Sequence, residues 1–138
     1  MTRFIEVDEV RIKSETGGEK GQKLARFDLI PPDALWELAT LYGVGAAKYA
    51  ERNWEHGYSW SLSYAAMQRH AHQFWMGEDV DQETQMPHMA SVAWHAFAML
   101  HFLGNPDEYQ DYDDRPATTY AVVETEEEEM ESDDEPVY

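Results

Sequence analysis

No cysteine occurs anywhere in the 138 residues, which excludes disulfides and a thiolate zinc site and makes a reducing compartment the natural expectation. There is no run of about 18 apolar residues, so no transmembrane helix is expected. The opening residues, Met1-Thr2-Arg3-Phe4-Ile5-Glu6, lack the basic region and apolar stretch of a signal peptide. A soluble cytoplasmic protein with no membrane partner is therefore expected. No Gly-Lys-Ser/Thr opens a helix, which excludes a P-loop, and the absence of a His-Asp dipeptide excludes an HD-type phosphohydrolase. One further absence carries more information: no Lys or Arg stands between Arg69 and Arg115.

That cation-free stretch contains Gly77-Glu78-Asp79-Val80-Asp81-Gln82-Glu83 and then His88, four carboxylates and an imidazole within twelve residues. Acids this close repel one another, and hard divalent cations such as Mg²⁺ and Mn²⁺ neutralise them best. Glu78 and Asp79 also follow the expected end of a helix, where negative charge opposes the dipole unless a cation compensates. An EF-hand is excluded, because Thr84 stands where its glycine should be and Ala90 where its bidentate glutamate should be. The net charge of −18 is uneven: residues 107–138 hold 14 of the 28 acids with Arg115 as their single base. The nine remaining bases all lie at or before Arg69. A basic first half facing an acidic loop suits a ligand that carries negative charge together with a metal, such as a nucleoside triphosphate. Duplex DNA is not an expected partner, since it needs a broad basic surface.

Along the chain, residues 1–30 read as an arm, with Val7, Val10 and Ile12 loosely alternating, and a flexible basic loop, Gly17-Gly18-Glu19-Lys20-Gly21-Gln22-Lys23, continued by Arg26. This loop is either an ordinary linker or a phosphate contact made through amides and lysines. Pro31-Pro32-Asp33 signals a helix start, and Leu35, Leu38, Tyr42, Ala46 and Tyr49 predict a helix over 33–50. Asn53 to Tyr58 reads as a turn. A second helix is predicted from Ser61 or Ser63 to Met76, and a third from His88 to Leu103, stopped by Gly104-Asn105-Pro106. Residues 31–106 thus form an all-α helical bundle, with an oligomer (dimer or higher) expected because three helices make a thin core. Residues 107–138, with their glutamate run, read as a low-complexity, disordered acidic tail.

The second and third helices should pair antiparallel. At the helical rise, about 12 Å separates Glu78 from His70 and about 10 Å separates His88 from His95, placing Glu78 level with His88 and His70 level with His95. Taken singly, His70, His72 and His95 read more readily as hydrogen-bonded core or surface residues than as ligands. Lys48 and Arg52, at i and i+4, either clamp one anion or form a solvated face. Arg69 either pairs with an acid or holds a phosphate. Trp54, Tyr58 and Trp60 either stack on a base or pack in the core. Glu37, mid-helix among apolar neighbours, is a candidate fifth carboxylate. The competing reading is a non-catalytic acidic interaction protein, either a nucleic-acid mimic or a partner-binding module.

Four strings then share a resemblance. Gly17-Gly18-x-Lys20-Gly21-x-Lys23-x-Ala25-Arg26-Phe27-Asp28-Leu29-Ile30-Pro31 resembles the opening of phage dATP/dGTP diphosphohydrolases. Gly45-Ala46-x-Lys48-Tyr49-x-x-Arg52-Asn53-Trp54, Arg69-His70, and Gly77-Glu78-Asp79-x-Asp81-x-Glu83 with His88 are similar to segments of the same enzymes. These are MazG-like, all-α nucleoside triphosphate pyrophosphohydrolases, and include the MazZ-type enzymes of phages that make 2-aminoadenine DNA. The resemblance implies an oligomeric helical fold and Mg²⁺- or Mn²⁺-dependent cleavage of a purine dNTP to dNMP and pyrophosphate, with dGMP supply as one use. It implies metal binding by Glu78, Asp81 and Glu83, completed by Glu37 or His88, and catalysis by Glu78, Asp81 and His70. Lys48, Arg52, Asn53 and Arg69 would hold the triphosphate, with Lys20, Lys23 and Arg26 reaching in and Trp54 at the base. Of the acid motifs of broader MazG-like enzymes, Glu78-Asp79-Val80-Asp81 fits the second as a string, whereas Glu51 and Glu55 are only a loose substitute for the first.

Overall fold

The computed structural model describes residues 10–116. It is mostly helical: α1 (Pro32–Lys48), α2 (Trp60–Trp75), α3 (His88–Gly104) and the short α4 (Pro106–Tyr109), preceded by a two-stranded hairpin of β1 (Val10–Lys13) and β2 (Glu19–Gln22). Proline sets the backbone at the start of α1 and α4, where the missing N–H has no helical partner in any case. No helix among the described residues is long and apolar enough to cross a membrane.

The basic segment expected to be a flexible loop is half strand. β1 and β2 pair antiparallel, Val10 opposite Gln22 and Lys13 opposite Glu19. Their turn is closed by Gly17, at φ 89°, and by Ser14 Oγ, which accepts from the Gly18 N–H at 3.0 Å. Val7 lies outside the described residues.

α2 and α3 form the central antiparallel pair and α1 packs across α3. Two buried clusters result. Leu41, Met86 and Ala90 make one; Trp60, Ala98, Phe102 and Tyr109 make the other, and the partly buried Trp94 touches both. α2 ends in a Schellman motif: with Gly77 at φ 100°, the Glu78 N–H donates to the Gln73 carbonyl at 3.1 Å and the Gly77 N–H to the Phe74 carbonyl at 3.0 Å. The chain therefore reverses at Gly77 instead of continuing the helix. Its acidic loop closes on itself, with the Asp81 N–H donating to the Met86 carbonyl at 2.9 Å and the His88 N–H to the Asp79 carbonyl at 3.0 Å.

The acidic tail was expected from residue 107, yet residues 106–116 pack as a strap on the body. Tyr109 is 3% exposed and its hydroxyl donates to the Glu55 carbonyl at 2.8 Å. Asp114 accepts from the Ser61 N–H at 2.9 Å at the start of α2, and the Arg115 guanidinium stacks 4.9 Å from the Trp60 ring centroid. Gly57 lies beneath the strap at φ 82°, and a Cβ there would meet Tyr112 at 2.7 Å, so a side chain is excluded by both backbone and neighbour. The expected disorder of 117–138 lies outside the described residues.

Candidate functional site

A cleft of about 830 Å³ opens between the C-terminal half of α1, the 49–54 loop, the inner faces of α2 and α3, and the acidic loop. Its volume falls in the range of about 300–1,000 Å³ usual for small-molecule sites. Lys48, Arg52, Asn53 and Trp54 reach it from α1 and the following turn, His70 and Ser63 from α2, Asp81 and Glu83 from the acidic loop, and His95 from α3. Arg52 holds a left-handed backbone at φ 57°, an uncommon conformation for a non-glycine residue and one that concentrates at functional sites.

At the acidic end, Asp81 organises its own loop: its carboxylate accepts from the Glu83 N–H at 3.1 Å and from the Thr84 hydroxyl at 3.3 Å. Lys48 Nζ donates to Glu83 Oε1 at 3.2 Å, and this hydrogen bond holds the Lys48 ammonium above its usual pKa. Arg52 pairs with Glu55 at 2.6 Å. Both cations are exposed, so solvent screens their pairs and each can exchange its carboxylate for another anion.

Behind the carboxylates runs a seam of imidazoles. His70 Nδ1 and His88 Nδ1 share a hydrogen bond at 2.9 Å, and His70 stacks on His95 with ring centroids 6.2 Å apart. His95 Nδ1 in turn meets Ser63 Oγ at 2.9 Å. His88 is fully buried, and its Nε2 has no hydrogen-bond partner but lies 3.7 Å from the Glu78 carboxylate. Glu78 is thus level with His88 as expected. His70, however, bridges His88 and His95 instead of facing His95 alone.

Burial, more than its charged neighbours, depresses His70, while Asp81 and Glu83 act to raise it. His95 is lowered to about 4, first by burial and then by His70 and Arg69. A histidine whose folded pKa lies below its unfolded value stabilises the fold fully above about 6.5 and progressively less as pH falls toward the folded value. Between pH 7 and 4.5 His95 should withdraw about 1 kcal/mol, after discounting for its partial exposure to the cleft. Urea titrations at the two pH values test this: the loss in His95→Asn should be smaller than in the parent by that amount, and parallel losses would refute it.

The expected site residues divide by helical face. Lys48, Arg52, Asn53, Trp54, His70, Asp81 and Glu83 converge on the cleft. Glu37 does not: Leu38 and Leu41 are the buried face of α1, and Glu37 is exposed off that face. Arg69, one residue before the inward His70, is likewise exposed and outside the cleft lining. Lys20, Lys23 and Arg26 line a separate shallow hollow beside the hairpin, where Arg26 is held bidentately by Asp28 at 2.8 and 2.7 Å. Glu78 and His88 form their own pair outside the lining. Of the five proposed metal ligands, then, only Asp81 and Glu83 face the cleft, and among the described residues no three His, Asp or Glu side chains are grouped to hold an ion. Two carboxylates still fit Mg²⁺, which commonly takes one or two protein carboxylates and completes its shell with phosphate oxygens and water. Tyr42 and Ser63 also line the cleft without having been expected there, and Ser91 lines it beside His95. Ser63 lies seven residues before His70, on one helical face, a spacing that was available as a signal.

Residues 14–115, well over half of the chain, match the family described as dATP/dGTP diphosphohydrolase, N-terminal. No curated protein and no solved structure matches the chain. The match takes in the hairpin's second strand, all the cleft residues and most of the C-terminal strap, and it sets aside the non-catalytic alternative. The chain belongs to the N-terminal dATP/dGTP diphosphohydrolase family and is a nucleoside triphosphate diphosphohydrolase.

Proposed function

We propose that this chain hydrolyses dATP or dGTP between the α- and β-phosphates, releasing the deoxynucleoside monophosphate and pyrophosphate, with Mg²⁺ or Mn²⁺ held jointly by substrate and protein. The observation that carries this reading is the convergence of Asp81 and Glu83 with Lys48, Arg52 and His70 on one cleft that also has a wall of Tyr42, Trp54 and Trp94. Lys48 and Arg52 bind the triphosphate by exchanging Glu83 and Glu55 for phosphate oxygens, and Asn53 adds a neutral donor. Asp81 and Glu83 would hold the cation, which when bound would neutralise charge at the α-phosphate and lower the pKa of water. His70, largely neutral and adjacent to these carboxylates, accepts the proton of the attacking water. The new bond joins the water oxygen to the α-phosphorus; the bond from that phosphorus to the bridging oxygen breaks, and pyrophosphate leaves. Trp54 stacks on the purine. Self-association belongs to the same proposal and is supported by Trp36 and Trp75, 77% and 84% exposed.

Incubation with each dNTP and Mg²⁺ or Mn²⁺, with pyrophosphate separated from orthophosphate, tests the cleavage. Equal amounts of dNMP and pyrophosphate are expected from dATP or dGTP; release of the three phosphates as one unit refutes it.

A further inference from the structure

Tyr58, Ser63 and His95 form a continuous hydrogen-bonded chain along the cleft wall. Tyr58 Oη lies 2.6 Å from Ser63 Oγ, and Ser63 Oγ lies 2.9 Å from His95 Nδ1. Ser63 is 1% exposed, so its hydroxyl is committed to these two neighbours. Nε2 of His95 is different: it has no hydrogen-bond partner among the described residues, yet it is not among the sealed polar atoms, which are Trp60 Nε1 and His88 Nε2. It is the end of the chain that a ligand in the cleft can reach.

A hydroxyl can turn its proton either way, and a neutral imidazole carries its proton on either nitrogen. The same heavy-atom positions therefore support two arrangements along the chain. In one, Tyr58 donates to Ser63, Ser63 donates to His95 Nδ1, and Nε2–H is a donor toward the cleft. In the other, His95 Nδ1–H donates to Ser63, Ser63 donates to Tyr58, and Nε2 offers a lone pair. With its pKa lowered to about 4, His95 is neutral near pH 7, so both arrangements are open to it.

The family's two substrates need this choice. Adenine presents an amino donor at position 6 of the ring, and guanine presents a carbonyl acceptor. A fixed donor or acceptor at that point would favour one base and leave a polar group unpaired against the other. We infer that the Tyr58–Ser63–His95 chain is the purine-reading edge of the cleft, with His95 Nε2 meeting position 6 of the base and the chain reversing its polarity between dATP and dGTP. This rests on the reading of the cleft as the nucleotide site, and the layout agrees with it. His95 lies seven residues along α3 from His88, about 10 Å from the acidic loop by helical rise. His70, which is subject to both Asp81 and Glu83, stands between that loop and His95. Beside His95, the mutually packed rings of Tyr42, Trp54 and Trp94, with centroids 6.5 and 5.8 Å apart, offer apolar faces for a base.

The test compares kcat/KM for dATP, dGTP and the purine analogue without a 6-substituent (2′-deoxynebularine triphosphate) in the parent, His95→Leu and Tyr58→Phe. In the parent, deleting the 6-substituent should cost roughly three- to tenfold, the worth of one neutral hydrogen bond. In His95→Leu that penalty should vanish, dATP and its 6-unsubstituted analogue becoming equal to within about twofold. Tyr58→Phe leaves the Ser63 proton only Nδ1 to bond along the chain, making Nε2–H the favoured form, so the dGTP-to-dATP ratio should rise roughly three- to tenfold. Tyr58→Phe preserves the ring packed 5.4 Å from Phe102, so its ratio remains readable even if His95→Leu folds poorly. A common loss on all three substrates, with ratios unchanged, would mean a merely structural chain and overturn the inference alone. A folded parent that hydrolyses neither dATP nor dGTP would overturn the cleft assignment and this inference together.

Discussion

Asp81→Asn should lower kcat/KM for the purine dNTP by about a thousandfold while leaving the thermal midpoint within a few degrees of the parent, the scale of loss seen when one charge-stabilising group is removed from a preorganised site. The substitution isolates charge. Asn keeps one side-chain oxygen to accept from the Glu83 N–H, and its amide faces the Thr84 hydroxyl oxygen, so both loop contacts of Asp81 have a replacement. What disappears is half of the negative charge that Asp81 and Glu83 bring to the cleft. Glu83→Gln should lose less, because it also frees Lys48 from its 3.2 Å pair and leaves that ammonium available to phosphate. Initial rates over a range of Mg²⁺ concentrations, alongside a circular-dichroism melt, separate the possibilities. Full activity in Asp81→Asn would remove the carboxylate from the mechanism, and joint loss of activity and fold would reduce Asp81 to a loop-forming residue.

The helices were legible because their punctuation is chemical: Pro31-Pro32 can start a helix and Gly104-Asn105-Pro106 must stop one, and the observed bounds of α1 and α3 follow those signals. The antiparallel α2–α3 pair was legible from the short connection between them. The chain reversal after α2 was not, since it depends on the positive φ of Gly77, which a helical-rise estimate ignores. β2, Glu19-Lys20-Gly21-Gln22, has no apolar alternation, and only pairing with β1 makes it a strand. In the cleft, residue type was readable but facing was not. Lys48 and His70 point in, while Glu37 and Arg69, each one residue from an inward position, are turned about 100° away. The density of acids at 78–83 marked the loop as a whole and hid that Asp81 and Glu83 face the cleft while Glu78 faces His88.

The C-terminal strap is where composition misled most, and it yields the second large effect. A chain ending at residue 116 should fold and turn over substrate like the full chain, whereas one ending at residue 105 should lose on the order of 4 kcal/mol, mainly from unburying Tyr109. Tyr109 is 3% exposed, sits 4.5 Å from Phe102 ring to ring, and closes the cluster containing Trp60. Removing a buried aromatic side chain costs about 3–5 kcal/mol, and the Ser61 N–H at the start of α2 loses its Asp114 acceptor as well. Against the roughly 5–15 kcal/mol that holds a domain of this size together, such a loss is a large share, and the melting point should fall by about 15–30 °C. The effect should reach the cleft as well, because the Tyr109 hydroxyl holds the Glu55 carbonyl and Tyr112 packs on Gly57, in the turn that presents Asn53, Trp54 and Tyr58. Melting curves and initial rates of the two truncations, with Tyr109→Ala between them, decide the matter. Equal melting points for the 105 and 116 chains would show that the strap is dispensable. A stable 105 chain with an impaired KM would leave it only the task of holding the cleft wall. The acids of this segment, which made it read as tail, lie mostly on its exposed side, while Tyr109 and Tyr112, with Asp114 and Arg115, carry the contacts that bind it to the fold.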